Sequence, residues 1–200
     1  MIGKTVQGIG YNDEKYPSRV EGKKIREYIT WNGVLLRCTE NSWIRRPSYT
    51  GTTCSENFKS YSYFYEWCNK QVGFGSLDAN NEIWHLDKDL LVKGNKVYSE
   101  DTCVFVPKKI NNLLVKSDAL RGSHAIGVHL VKKTNKYTAQ INNSYRVRQY
   151  LGCFNTEQEA FLVYKTHKEA LIKQVANEYK DRLDSRAYEA LMNYEVNIYD

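Results

Sequence analysis

The feature that most constrains this sequence is a series of strand-like alternations that ends just before a helix start signal. Tyr137, Ala139 and Ile141 alternate with polar side chains, which is the pattern of a strand with one buried face. Thr156-Glu-Gln-Glu159 is a capping box, a sequence typical of a helix N-terminus. The patterns predict three strands joined by polar turns and followed by a helix, with the strands at residues 125–132, 136–142 and 145–151.

The excess positive charge of the chain lies in the same region. The net charge is +6, and the window from Arg121 to Tyr150 holds six basic residues and no Asp or Glu, so the rest of the chain sums to zero. The six are Arg121, Lys132, Lys133, Lys136, Arg146 and Arg148. A local basic stripe on an otherwise neutral protein favours a polyanionic partner.

Length and composition restrict the class of protein. The 200 residues suit one medium domain or two small ones, and 42% apolar residues are enough for a packed core. No apolar run is long enough to cross a bilayer, and the start lacks the apolar core of a signal peptide. We therefore expect a cytosolic protein with no membrane partner.

The five cysteines form no Cys-x-x-Cys pair, and three of them stand beside Phe, Trp or Val. We expect reduced, structural thiols and no zinc. Cys38 and Cys54 with a distant partner leave a zinc site open, although their spacing gives it little support. We interpret His124 and His167 as surface or packing residues.

The remaining segments mix helical and strand patterns. Ser55 is a plausible N-cap, and Phe58, Tyr61, Phe64 and Cys68 would form the buried face of the helix after it. The expected elements are an irregular arm at 1–22, helices at 23–38 and 56–71, strands at 82–92 and 102–107, a helix at 108–116, a helix from 156 to about 180 and another at 184–194. The class expected from these elements is α+β.

Residues 124–168 resemble the APETALA-two/ethylene-response-factor DNA-binding domain, most specifically in Tyr-Leu-Gly-x-Phe-x-Thr-x-x-Glu-Ala. The resemblance implies a three-stranded antiparallel sheet packed on a helix, with the sheet in the major groove of double-stranded DNA. Arg148 would contact guanine, and Gln140 and Asn142 suit adenine. The resemblance implies DNA contacts by His129, Gln140, Asn142, Arg148 and Tyr150. The alternation of the strands adds Arg146, and we expect Lys132, Lys133 and Lys136 to meet phosphates.

Residues 84–114 resemble the HNH, or ββα-metal, nuclease motif of phage homing endonucleases. The resemblance implies that His85, at the end of the first strand, is the catalytic base, and that Asn111 on the following helix takes part in catalysis and binds metal. Asp87 and Asp89 are further candidate ligands for Mg²⁺ or Mn²⁺. Lys88 or Lys96 would hold a phosphate, and Lys88 is included among the catalytic candidates.

Two residues depart from the HNH pattern. Trp84 stands where the motif has a metal-binding acid or histidine, and Thr102 stands where a loop-tying asparagine is expected. Asp87 and Asp89 could replace the missing ligand or serve as structural polar residues. These departures support an alternative, a DNA-binding repressor that has lost its chemistry. A third interpretation is a structural or inhibitory phage protein that uses the basic face to bind another macromolecule.

Together the two resemblances imply an HNH-like ββα-metal region at 23–116, a DNA-binding domain at 121–168 and a C-terminal helical extension at 169–200. The function that they imply is metal-dependent, sequence-directed cleavage of double-stranded DNA. Such a protein would be encoded by a phage or mobile element and would act in the bacterial cytoplasm.

Overall fold

A computed structural model of the chain describes residues 4–114, 123–142 and 147–198. Within these ranges, short sheets are combined with helices, so the expected α+β class is confirmed. The helices are α1 (Arg26–Arg37), α2 (Glu40–Arg45), α3 (Tyr61–Asn69), α4 (Lys108–Leu114), α5 (Glu157–Glu178) and α6 (Ser185–Met192). The strands are β1 (Lys4–Val6), β2 (Gly10–Asn12), β3 (Arg19–Val20), β4 (Lys23–Lys24), β5 (Thr53–Cys54), β6 (His85–Asp87), β7 (Val97–Tyr98), β8 (Val104–Val106), β9 (Val128–Val131), β10 (Lys136–Asn142) and β11 (Arg148–Phe154).

The chain divides into two compact units. The first comprises Met1–Lys108 together with Arg182–Ala187, and the second comprises Lys109–Asp181 together with Tyr188–Asp200. Within the described residues, no helix has the length and apolar character that a bilayer crossing needs.

The N-terminal segment forms two short hairpins where the sequence predicted an irregular arm. Strands β1 and β2 pair antiparallel, as do β3 and β4. Each hairpin turns on a residue followed by glycine with both φ angles positive, namely Gln7-Gly8 at 56° and 71° and Glu21-Gly22 at 50° and 76°. In the β3–β4 hairpin Glu21 and Gly22 are the whole loop, and two consecutive positive φ values match the twist of such a two-residue turn. The β1–β2 loop has a third residue, Ile9, after Gly8.

The core of the first unit is aromatic and lies between α1 and α3. Trp31, Phe58, Tyr61 and Phe64 are fully buried, and the indole N–H of Trp31 donates to the Phe58 carbonyl at 2.8 Å. Helix α3 begins later than predicted because residues 57–59 form a 3₁₀ turn and the Ser60 hydroxyl caps the helix.

The order strand, loop, strand, helix predicted for residues 84–114 is present as β6, β8 and α4. Strands β6 and β8 pair antiparallel, with His85 opposite Val106 and Asp87 opposite Val104. The predicted strand 82–92 shrinks to three residues because the Asp87 carboxylate accepts the backbone N–H groups of Asp89 and Leu90, which turns the chain. Between them, β7 pairs parallel with β5.

The second unit contains the expected three-stranded antiparallel sheet, in the order β11-β10-β9. One sheet face and α5 share a core that is extended by Val196 near the C-terminus. The predicted capping box is confirmed, since the Thr156 hydroxyl accepts the Glu159 N–H at 3.2 Å and the Glu159 carboxylate accepts the Thr156 N–H at 3.1 Å.

Sheet and helix approach each other most closely at Gly127. Its φ is +74°, and a Cβ atom there would lie 2.1 Å from the Tyr164 ring. Glycine is therefore required by both the backbone conformation and the available space.

Candidate nucleic-acid interface and ββα segment

The outer face of the β9–β10–β11 sheet, which points away from α5, carries the polar residues that the alternation pattern predicted. Cross-strand partners project on the same side of a sheet. Gln140 pairs with Tyr150, and Asn142 pairs with Arg148. His129 pairs with Thr138, two residues before Gln140 on β10. These five members of the expected set therefore share one face.

The middle row of this outer face contains two residues that the site prediction missed. Thr138 pairs with His129 on one side and with Cys153 on the other. Cys153 and Tyr150 share a face although they are three residues apart, because β11 contains a β-bulge opposite Ala139 and Gln140. In the sequence, the feature that points to this bulge is the glycine at position 152, whose φ is +141° in the structure.

Three lysines lie at the β9–β10 end of the sheet. Lys132 and Lys133 are in the turn between the strands, and Lys136 begins β10. All three ammonium groups are exposed, as is Arg148 at the other end of the outer face. Where the chain is described, no carboxylate forms an ion pair with any of these four cations. Arg121 and Arg146, both predicted cations of this stripe, lie outside the described residues.

The carboxylate of Glu157, at the start of α5, contacts the segment that precedes β9. It accepts the Ala125 backbone N–H and contacts His124 Nδ1 at 3.1 Å. The Ala125 N–H and His124 hold the pKa of Glu157 below its usual value. His167 is an exposed helix residue whose Nδ1 contacts the Val163 carbonyl at 2.9 Å.

Gln140 has an unusual environment on the outer face. Its side-chain oxygen is buried and has no hydrogen-bond partner among the described residues. Its backbone N–H donates to the Gly127 carbonyl at 2.9 Å. A buried amide oxygen without a donor is costly, and a donor supplied by a bound ligand would remove that cost.

His85 is an exposed residue of the ββα segment. It begins β6, whereas the resemblance implied a position at the end of the strand. Partial burial and the positive charges of Lys108 and Arg37 hold the pKa of His85 below its usual value. A neutral imidazole near pH 7 can accept a proton.

The predicted metal ligands divide between the two units, with Asp87 and Asp89 in the first and Asn111 in the second. Asp87 is buried, and one carboxylate oxygen accepts two backbone N–H groups, which is a structural role. Burial, followed by the nearby charge of Asp89, raises the pKa of Asp87 to about 6. Asn111 is half-buried on α4 and belongs to the second unit. No group of three His, Cys, Asp or Glu side chains in the described chain is arranged to hold a metal ion.

The lysines of this segment have partners within the protein. Lys88 is buried, donates to the Asn95 carbonyl at 2.8 Å and lies 3.4 Å from the Asp89 carboxylate. Lys96 donates to the Ser48 carbonyl at 2.6 Å. Holding a phosphate would require either lysine to give up its carbonyl acceptor.

Asn95 ties the loop between β6 and β8, which is the task that the resemblance assigned to an asparagine missing at position 102. Its side-chain NH₂ donates to the carbonyls of Lys88 and Val97, at 2.6 and 2.7 Å. Its side-chain oxygen accepts the Val97 N–H at 3.1 Å. Thr102 adds a hydroxyl donated to the Val97 carbonyl at 2.8 Å.

Two further positions complete the comparison with the sequence. Trp84 is buried beneath the Arg182 guanidinium, which lies 5.3 Å from its ring centre, so Trp84 is a packing residue. The Cys38 and Cys54 thiols are neighbours, and their interaction raises the pKa of Cys38 and lowers that of Cys54.

The chain matches no protein-family model, no curated protein and no solved structure.

Proposed function

We propose that this protein binds double-stranded DNA through the outer face of the β9–β10–β11 sheet. The observation that carries the proposal is an exposed sheet face with cations at both ends and no carboxylate paired to them among the described residues. Unpaired cations on a regular surface favour a polyanionic ligand.

The dimensions of the outer face suit a duplex. From Lys136 to Asn142 the strand covers six residue steps, or about 20 Å at about 3.3 Å per residue. The major groove is about 12 Å wide and admits a β-ribbon. The three lysines at one end would then meet phosphates, which fixes position without reading sequence.

Base reading would come from the polar rows between the cations. Arg148 offers two parallel N–H donors that match guanine, and the neighbouring Asn142 amide matches adenine. Gln140 adds a second amide, two residues before Asn142 on β10. Its cross-strand partner Tyr150 is 60% exposed.

The test separates phosphate contacts from base contacts. A preferred duplex is first selected from a random library, and its affinity is then measured against salt. Lys136→Ala should weaken binding to all duplexes alike and reduce the slope of log affinity against log salt by about 0.9. Arg148→Ala should cost about 1–3 kcal/mol on the selected duplex and little on unrelated DNA.

Lys173 is an exposed lysine on α5, and Lys173→Ala is the matched control. This variant should change neither the affinity for DNA nor its salt dependence. Affinity that does not depend on salt, or equal losses for the Lys136 and Lys173 variants, would contradict the proposal and indicate a protein partner.

A second candidate function is DNA nicking at the ββα segment. His85, exposed and with a lowered pKa, together with the loop tied by Asn95, favours it. The candidate ligands Asp87, Asp89 and Asn111 do not fit a magnesium site as arranged, because Asp87 is buried in its turn and Asp89 faces Lys88. This arrangement supports the alternative, a regulator that binds DNA without cutting it.

One assay distinguishes nicking from regulation. Supercoiled plasmid carrying the selected duplex is incubated with protein in Mg²⁺, in Mn²⁺ and in EDTA. Metal-dependent nicking that His85→Ala abolishes establishes the nuclease. Tight binding without nicking in any of these conditions establishes the regulator.

A further inference from the structure

Arg37, which no sequence pattern singled out, holds a fixed guanidinium group in the first unit. It is the last residue of α1, and it lies 5.7 Å from the Tyr49 ring centre and 6.0 Å from the Tyr98 ring centre. The two aromatic rings therefore flank the guanidinium group. A guanidinium has five N–H donors, so donors remain for a further ligand.

Arg37 differs from the neighbouring cations Lys88 and Lys108 because it forms no ion pair with a carboxylate among the described residues. Lys88, which lies 5.9 Å from the same Tyr98 ring, pairs with Asp89. Lys108 pairs with Glu82 at 2.5 Å. Arg37 is half-buried against the rings of Tyr49 and Tyr98. A partly desolvated cation without a counter-ion is unfavourable until an anion arrives.

Arg37 also lies close to the ββα segment. One of its two tyrosines, Tyr98, is in β7, inside the loop that joins β6 to β8. The positive charges of Lys108 and Arg37 act on His85, against the negative charges of Glu82 and Asp78. Since Lys108 already pairs with Glu82, Arg37 is the one of these two cations that has no carboxylate partner among the described residues.

We propose that Arg37 is a phosphate-binding residue, whose guanidinium donates parallel hydrogen bonds to two oxygens of a nucleic-acid backbone phosphate brought to the ββα segment. The planar fork of arginine matches phosphate geometry, and the two tyrosines hold that fork in place. The choice of a nucleic-acid phosphate rests on the proposed DNA binding. The phosphate site itself does not.

The probe is inorganic phosphate, titrated into the full-length protein at constant ionic strength maintained with chloride. The readout is the set of arginine side-chain Nε–H NMR signals, with the Arg37 signal assigned by its loss in Arg37→Lys. The Arg37 signal should shift and saturate, while the signal of Arg45, an exposed arginine of α2, should not. Arg37→Lys should weaken phosphate binding about tenfold, since lysine cannot donate as a fork.

A second measurement needs no variant and so does not depend on how a variant folds. Phenylglyoxal modifies arginines of the wild-type protein with and without phosphate, and mass spectrometry locates the products. Phosphate should protect Arg37 and leave Arg45 unprotected. Equal protection of the two arginines, or no saturable shift of the Arg37 signal, would overturn the proposal.

The outcomes also separate this site from the proposed function. If phosphate binds at Arg37 but no duplex is bound by the outer face of the sheet, the DNA-binding proposal fails and the phosphate site stands. If duplex binding depends on Lys136 and Arg148 but phosphate does not affect Arg37, the reverse holds.

Discussion

At the scale of single residues, the Asp87 carboxylate of the ββα segment, a predicted metal ligand, shows how burial and backbone hydrogen bonds determine the properties of one side chain. Asp87 has the residue type and position of a metal ligand, yet its carboxylate oxygen accepts the N–H groups of Asp89 and Leu90. Burial opposes its ionisation, and the pKa of Asp87 rises to about 6. The folded state therefore binds a proton at this site more tightly than the unfolded chain does.

This pKa makes stability depend on pH. The stabilisation that comes from protonated Asp87 is fully present below pH 3.8 and is lost as pH rises to about 6. Asp87→Asn keeps an acceptor oxygen and removes the titration. Between pH 4 and pH 8, in EDTA, the free energy of unfolding should shift in favour of the variant by about 1–3 kcal/mol. The measurement is urea unfolding of both proteins across this range; a difference that stays constant with pH would be contrary to it.

At the scale of elements, the loop between β6 and β8 is organised by a single side chain. Asn95 makes two hydrogen bonds to carbonyls and accepts one N–H, and so joins the start of the loop at Lys88 to β7 at Val97. An asparagine can satisfy three backbone groups in this way because its amide carries both donors and an acceptor.

Asn95→Ala should therefore destabilise the protein by about 2–3 kcal/mol, at about 1 kcal/mol for each lost hydrogen bond. Urea unfolding gives the value, and limited proteolysis should show new cleavage within residues 88–97. Asn41→Ala, at an exposed position on α2, is the control and should have little effect. Equal stability of the two variants would mean that the loop does not depend on Asn95.

Elements set by local interactions were predictable, and those set by distant partners were not. The capping box at Thr156 involves residues three apart, and the bounds of β10 follow from alternation between two turns. By contrast, the Asn95 side chain bonds to backbone groups of Lys88 and Val97, and backbone groups are the same for every sequence, so no sequence pattern predicts these bonds. Cys153 lies on the outer face because of a bulge in β11, which depends on pairing with β10. The position of Arg37 between Tyr49 and Tyr98 depends on residues that are distant in the sequence.

At the scale of the whole molecule, the chain returns to its first unit near the C-terminus. Residues 182–187 belong to that unit, although the sequence suggested a helical extension there. Arg182 donates to the Leu77 carbonyl at 2.7 Å and lies over the Trp84 ring, while Ala187 is fully buried. In sequence, Lys109–Asp181 of the second unit thus lies between the two segments of the first, and Tyr188–Asp200 of the second unit follows them.

Arg182→Ala should remove a hydrogen bond and a cation–π contact, and should destabilise the first unit by about 1–2 kcal/mol. Thermal unfolding should show a lower Tm, and duplex affinity measured well below that Tm should be unchanged. The exposed Arg45 offers a matched control, since Arg45→Ala should leave Tm within error. Loss of duplex affinity in folded Arg182→Ala would show that the return segment also serves binding.

The bulge in β11 absorbs one residue without changing which side chains point outward. Leu151 is the residue of β11 that has no partner on β10, so deleting it would leave Cys153 and Tyr150 two residues apart in a regular strand. Arg148, Tyr150 and Cys153 would therefore stay on the outer face, opposite the same residues of β10. A single-codon deletion here would thus remove the irregularity and preserve the outward-facing set.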